Sequence, residues 1–387
     1  MSIYWVTNLA ANWNSDSWSA SEGGDVVSGL RPSGESFVYF LGDSQGTCSL
    51  TGTEIVSSLY LSKNTLTIES GSKLEPTSVY MRSFSIIDGE GSLSLPESGS
   101  VNRLAGSIEC SLLEVTGGSN SLVGGVYSCD EVVFDEEFLS TDTTCTFDGN
   151  VVVSGSINSS GTIANYEFLG DLEITSSTGW TPGNGQVYFG GNGDQTITLN
   201  SAILDEVYVN KNFGSATFED DISVSGDFLA QGSHSILNFA SGTTQTVDGH
   251  LIISGPSANV ENTEWDISEN IYLYNMDGQA GTLTGPVTFN MGGSDGVIGP
   301  YSLSGVVASG VRGANAVDSG GNSGITFLTD YEIRGAGQTN VGRASVGIPR
   351  GYQSMDKHSI DDSSSLDNIK ENYYHNWYYD DFRKGKG

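Results

Sequence analysis

Val151-Val152-Val153-Ser154-Gly155 opens a phrase that keeps returning through the middle of this chain. Each copy is a short β-prone triplet with apolar outer residues, followed by Ser or Thr and a turn rich in Gly, Asn or Asp. Leu172-Glu173-Ile174-Thr175, Ile222-Ser223-Val224-Ser225-Gly226 and Leu251-Ile252-Ile253-Ser254-Gly255 repeat it, and Ile271-Tyr272-Leu273 is a looser copy. Weaker copies at Val187-Tyr188-Phe189, Ile197-Thr198-Leu199, Val207-Tyr208-Val209 and Leu237-Asn238-Phe239 fill the gaps. Period-2 alternation over three to five residues marks a strand with one buried face.

Outward from this stretch the pattern holds. Toward the N-terminus it continues through Val132-Val133-Phe134, Leu113-Glu114-Val115, Leu93-Ser94-Leu95, Phe84-Ser85-Ile86, Leu66-Thr67-Ile68 and Leu59-Tyr60-Leu61 to Phe37-Val38-Tyr39-Phe40. Gly-Ser-Asn segments separate the copies, and 52 Gly against 8 Pro supply the positive φ angles that tight turns need. Two all-β architectures give short alternating strands: a parallel β-helix and a tandem β-sandwich array. Few Asn-Gly or Asp-Gly hairpin signals join matched strands, aliphatics stand at like positions in successive phrases, and Ser, Thr and Asn flank them. These three features favour the β-helix, with the sandwich array as the alternative.

The charge divides sharply. Residues 1–327 carry 7 bases against 38 acids, a net of −31, whereas residues 328–387 carry 8 against 9, a net of −1. So acidic a body repels nucleic acid and anionic membranes, so neither is an expected partner. Met1-Ser2-Ile3-Tyr4-Trp5 has no basic or apolar signal-peptide region and no run of 18 apolar residues occurs, so neither export nor a membrane span is expected. Cys48, Cys110, Cys129 and Cys145 show no CxxC spacing. They suit buried thiols on adjacent coils better than a zinc site.

No nucleophile elbow, P-loop, dinucleotide fingerprint or HExxH is present, and no catalytic, cofactor or metal residue is assigned. Acid clusters at Asp130, Glu131, Asp135, Glu136 and Glu137, and at Glu219-Asp220-Asp221, are the candidates for paired-carboxylate sugar hydrolysis. Solvated loop charge accounts for them more simply. His234 and His250 stand alone, and Gly190-Gly191-Asn192-Gly193-Asp194 occurs once and reads as a turn.

The ends differ from the middle. Residues 1–35 hold Trp5, Trp13 and Trp18 in an Asn/Ser-rich setting and are expected to cap an open core end rather than to bind carbohydrate. Residues 36–327 form the expected body and 328–387 an irregular C-terminal arm. In the arm, Asp361 to Lys370 is a helix candidate with Leu366 and Ile369 on one face. Tyr373, Tyr374, Trp377, Tyr378, Tyr379 and Phe382 follow, an aromatic density that needs a covering surface. That surface is either a partner in an assembly or this chain's own β-stack.

The opening Tyr4-Trp5, Asn12-Trp13, Trp18-Ser19 and Gly23-Gly24 resembles the start of glycine- and serine-rich domains of phage virion and tail-fibre proteins and of large bacterial surface proteins. Asn315-Ala316-Val317-Asp318-Ser319-Gly320-Gly321-Asn322-Ser323-Gly324-Ile325-Thr326-Phe327 is similar to the phrase that closes such domains, with Ile325 where they often have Trp. The resemblance implies a right-handed parallel β-helix serving as a stalk, and no catalytic residues. The resulting expectation is a virion structural or attachment protein: a tail or head fibre, spike or decoration subunit assembled in the host cytoplasm. It would be a homotrimer, joined to other virion proteins through the arm and with a host-surface glycan as a further candidate partner. A glycan depolymerase on the same scaffold and a bacterial adhesin are the alternatives.

Overall fold

A computed structural model describes residues 1–328, apart from 7–9, 42–45, 96–100, 118, 141–142, 212, 232–235, 255–256, 274–280, 294–295, 299–300 and 315. The described residues are all-β, and their strands stack as a β-solenoid. Three strands make one coil, and each strand pairs with the strand three further along, one coil above. Among the described residues every pairing is parallel except one, Ser2–Trp5 with Trp18–Ser19. Hairpin-built sandwiches require the opposite, so the sandwich alternative is excluded.

The register explains the recurring phrase. On the second of the three sheets, Tyr127 pairs with Phe147, Phe147 with Phe168 and Phe168 with Phe189. All four side chains are fully buried and their rings pack at 5.0, 5.3 and 6.0 Å. On the third sheet Leu93, Leu113, Val132, Val151 and Leu172 make the matching aliphatic file. One hydrophobic core runs without a break from Ile3 to Val311. Some of the buried polar residues pair from coil to coil. Asn102 on the first sheet donates from Nδ2 to Oδ1 of Asn120 one coil on (2.7 Å), and its own Oδ1 accepts the Val79 N–H (2.9 Å).

Coil length is set at the corners. From Cys48 to its partner Leu66 the chain uses 18 residues and from Leu273 to Ile298 it uses 25. Between Ile298 and Gly313 it uses only 15, because Tyr301–Ala314 is one strand that turns two corners at Gly305 (φ 68°) and Gly310 (φ 75°). At other corners the coils touch so closely that a Cβ has no room. One built on Gly149 would lie 1.6 Å from the Cys129 carbonyl oxygen. At about 4.8 Å per coil, the ladder from Ala11–Asn12 to Ser323–Leu328 gives a rod on the order of 70 Å long.

The N-terminal end is closed. Trp5, Trp13 and Trp18 are buried against Phe40, with Trp13 and Trp18 edge to face at 5.2 Å and Trp18 Nε1 donating to the Trp13 carbonyl (2.8 Å). Rings so covered offer no face to a sugar. Ser2–Trp5 already belongs to the ladder, through its pairing with Phe37–Phe40. At the far end Asp318 Oδ1 accepts the Gly320 N–H and Asn322 Nδ2, and Asn322 Nδ2 also reaches the Leu303 carbonyl while its Oδ1 accepts the Val306 N–H. The closing phrase is thus a hydrogen-bonded clasp on the last coil. Of the expected arm 328–387, Leu328 ends the last strand, and the rest, with its helix at Asp361–Lys370, lies outside the described residues.

Truncating a ring in the inward file should be costly, because a stacked coil cannot collapse into the gap. Phe168→Ala is expected to lose about 3–5 kcal/mol. Glu173→Gln, an exposed change on a strand of the next sheet, should stay within about 0.5 kcal/mol. Guanidinium unfolding of both variants checks the contrast.

Candidate functional site

The acids that sequence reading offered as paired catalysts serve different ends. Asp220 Oδ1 and Oδ2 accept the Leu199 N–H (2.9 and 3.0 Å), and Oδ2 also accepts the Asn200 N–H, where the chain turns through positive φ at Asn200 (49°) and Ser201 (62°). Asp221 Oδ1 accepts the Thr244 N–H (2.8 Å), Asp194 the Ser215 N–H (2.9 Å) and Asp171 the Thr196 N–H (2.7 Å). Each bond crosses from one coil to its neighbour, so corner carboxylates capture backbone donors that no strand satisfies. Asp130, Glu131, Asp135, Glu136 and Glu137 are exposed, with Glu137 accepting from Asn158 Nδ2 (2.8 Å). Among the described residues no group of three or more His, Cys, Asp or Glu is placed to hold a metal ion.

The thiols are likewise structural. All four cysteines are free and buried, and Cys110 and Cys129 stack on adjacent coils with their sulfurs 3.2 Å apart. Burial pushes the Cys145 thiol up to about 12, far from a reactive thiolate. Lys211 is fully buried, donating from Nζ to the Gly190 carbonyl (2.7 Å) and Gln195 Oε1 (3.3 Å). Burial lowers its pKa, opposed by Asp194 and Asp171. A shallow groove of about 350 Å³, lined by Thr243, Asn262, Glu264, Pro286 and Thr288 among others, opens on the surface of the upper coils.

Two outward-facing stripes distinguish the surface. On the first sheet Tyr4, Tyr39, Tyr60 and Tyr80 are in register on successive coils with ring centroids 4.9, 5.9 and 5.0 Å apart. Arg82 lies over the Tyr60 ring at 5.7 Å and Arg103 over Tyr80 at 5.4 Å. The rings stack on one another, so their faces are occupied and the column stiffens the sheet. On the second sheet Tyr188, Tyr208, Leu229, Ile252, Tyr272 and Val297 form the other stripe. Tyr208, Leu229, Ile252 and Tyr272 make a separate apolar cluster, outside the core, and are only 4, 1, 2 and 7 % exposed. An outward residue at a few per cent exposure is a covered residue. This second, covered face is the site that sequence reading missed. Its signal was available: Val207-Tyr208-Val209, Leu251-Ile252-Ile253 and Ile271-Tyr272-Leu273 are apolar throughout, as strands packed on both faces are. The expected interface residues Leu366, Ile369, Tyr373, Tyr374, Trp377, Tyr378, Tyr379 and Phe382 all lie outside the described residues.

Asp205 supplies a pH-dependent term at the rod's middle. It is 1 % exposed; its Oδ1 accepts the Gly183 N–H, and its Oδ2 lies near the Trp180 indole with no well-formed hydrogen bond. Burial raises its pKa above 3.8, against the pull of Gly183. The folded state therefore holds the proton more tightly than the unfolded chain. The stability this gives is complete below 3.8 and is lost as pH rises through the elevated value. Asp205→Asn keeps the acceptor for Gly183 and cannot ionise. The stability of the variant relative to the parent should therefore shift in the variant's favour between pH 3 and pH 7, as read from urea midpoints. An unchanged difference would refute the assignment. Comparison with protein-family models, with curated proteins and with solved structures gives no match to this chain.

Proposed function

We propose that the chain is a structural rod of a phage virion, a fibre, spike or decoration subunit, joined to other virion proteins through residues 329–387. The observation that carries this reading is the single core, continuous from Ile3 to Val311 and stacked coil on coil. A solenoid filled by side chains has no lumen and extends in one dimension, each coil touching only its neighbours. The acidity of residues 1–327 keeps such a rod in solvent and apart from its neighbours. The resemblance of both ends to virion domains coincides with the first and last described coils, at the tryptophan cluster and the Asp318–Asn322 clasp. In this reading the rods assemble as homotrimers in the host cytoplasm, and a host-surface glycan is a further candidate partner.

The test is particle composition. Full-length chain should appear in purified particles at a fixed copy number, measured by quantitative mass spectrometry. A chain lacking residues 351–387 should keep the strand-type circular dichroism of the rod and be absent from particles. Truncated protein incorporated at the full-length copy number would overturn the proposal.

A further inference from the structure

We propose that Cys110 and Cys129 form a disulfide that staples two adjacent coils when the rod meets a hydroperoxide. This does not rest on the virion reading. The first argument is position. Both residues lie two places beyond paired residues of the second sheet, Ile108 and Tyr127, at the corner leading to the third sheet. The same offset from Ile87, Phe147 and Phe168 gives Gly89, Gly149 and Gly170. The file along this corner therefore reads Gly89, Cys110, Cys129, Gly149, Gly170. A Cβ built on Gly89 would lie 2.2 Å from the Ile68 carbonyl oxygen, and one on Gly170 would lie 2.5 Å from that of Gly149. The two places in the file that carry side chains are adjacent, and both are cysteine.

The second argument is geometry. Backbones on adjacent parallel coils run about 4.8 Å apart, inside the range of about 4.4–6.8 Å between Cα atoms that a disulfide bridges. The Asp130 N–H donates to the Cys110 carbonyl (3.2 Å), which holds the two corners in this alignment. The sulfurs already stand 3.2 Å apart, so bonding asks them to close by about 1 Å. The bond joins residues 19 apart in sequence, one coil, and so restricts the unfolded chain while leaving the ladder as it is.

The third argument is chemistry. Burial pushes the Cys48 and Cys145 thiols up. The Cys129 thiol is instead held below its ordinary value, because hydrogen bonding from the Cys110 thiol, helped by the Cys110 N–H, outweighs burial. Cys110 is 4 % exposed, which gives a small oxidant a way in at the corner. The Cys129 thiolate attacks one peroxide oxygen. The O–O bond breaks, leaving a sulfenic acid on Cys129 and releasing hydroxide. Cys110, having lost its proton, then attacks the Cys129 sulfur, the S–S bond forms and the sulfenic oxygen leaves as a second hydroxide. The two thiol protons turn the two hydroxides into water. Two thiols have together given up two electrons, and one hydroperoxide has taken them.

The experiment treats the reduced full-length protein with hydrogen peroxide under native conditions, then unfolds it in an alkylating agent and digests it with Glu-C without reduction. Cleavage after Glu109, Glu114 and Glu131 puts Cys110 and Cys129 on separate peptides. The expected product is peptide 110–114 joined to peptide 115–131, lighter by two hydrogens than the two apart, with Cys48 and Cys145 alkylated. Dithiothreitol should return both peptides to the alkylated form. Cys110 and Cys129 both alkylated, a higher acid of either sulfur in place of the link, or a link to Cys48 or Cys145 would overturn the proposal. Cys110→Ser keeps a hydrogen-bond donor beside Cys129 but removes the second attack. The same treatment should then carry Cys129 on to the sulfinic acid, which the parent does not accumulate. Cys129 left unoxidised in that variant would also overturn it.

Discussion

Parallel coils must satisfy every strand N–H and C=O against the coil above and the coil below, which fixes the register. Once it is fixed, whatever stands at a position on one coil stands beside its counterpart on the next. Phe147, Phe168 and Phe189 are neighbours for that reason alone, as are Asn102 and Asn120, and Tyr39, Tyr60 and Tyr80. The same constraint makes a mismatch expensive and a match cumulative. A buried asparagine would cost a few kcal/mol unpaired, but stacked on another it satisfies both side chains and leaves the core intact.

Part of the acidity is put to use by stacking. Strand backbones pair with one another and many corner backbones do so too, but some corners leave donors facing a neighbouring coil. Asp171, Asp194, Asp220, Asp221 and Asp227 accept such donors. A hydrogen bond to a charged acceptor contributes about 1.5–3 kcal/mol, against about 1 kcal/mol for a neutral one. The carboxylates therefore bind coil to coil at the points where the ladder is weakest. Solubility is a second consequence of the same residues.

Much of this could be read in advance, and the exceptions have physical causes. Period-2 triplets such as Leu172-Glu173-Ile174 announce strands because a pleated strand has only two faces, and like-placed aliphatics announce a stack. The tryptophan-rich start could be assigned to a core end, since so much ring area needs cover. The function of individual acids could not be read, because Asp220 becomes an acceptor for Leu199 only once the intervening coil has closed. The covered stripe was hidden differently. Leu251-Ile252-Ile253 has apolar outer residues like any other copy, and only its apolar middle residue sets it apart. That distinction matters only when three neighbouring coils share it.

A solenoid of parallel strands has two unlike ends, and each invites another molecule to continue the stack. Here Trp18–Ser19 runs antiparallel against the first strand of the first sheet, and a strand laid in reverse cannot template another parallel coil. Head-to-tail addition joins one end of each kind, so closing this end is enough to block it. The dimension of the object is then written into the gene as a number of coils, and protein concentration has no say in it.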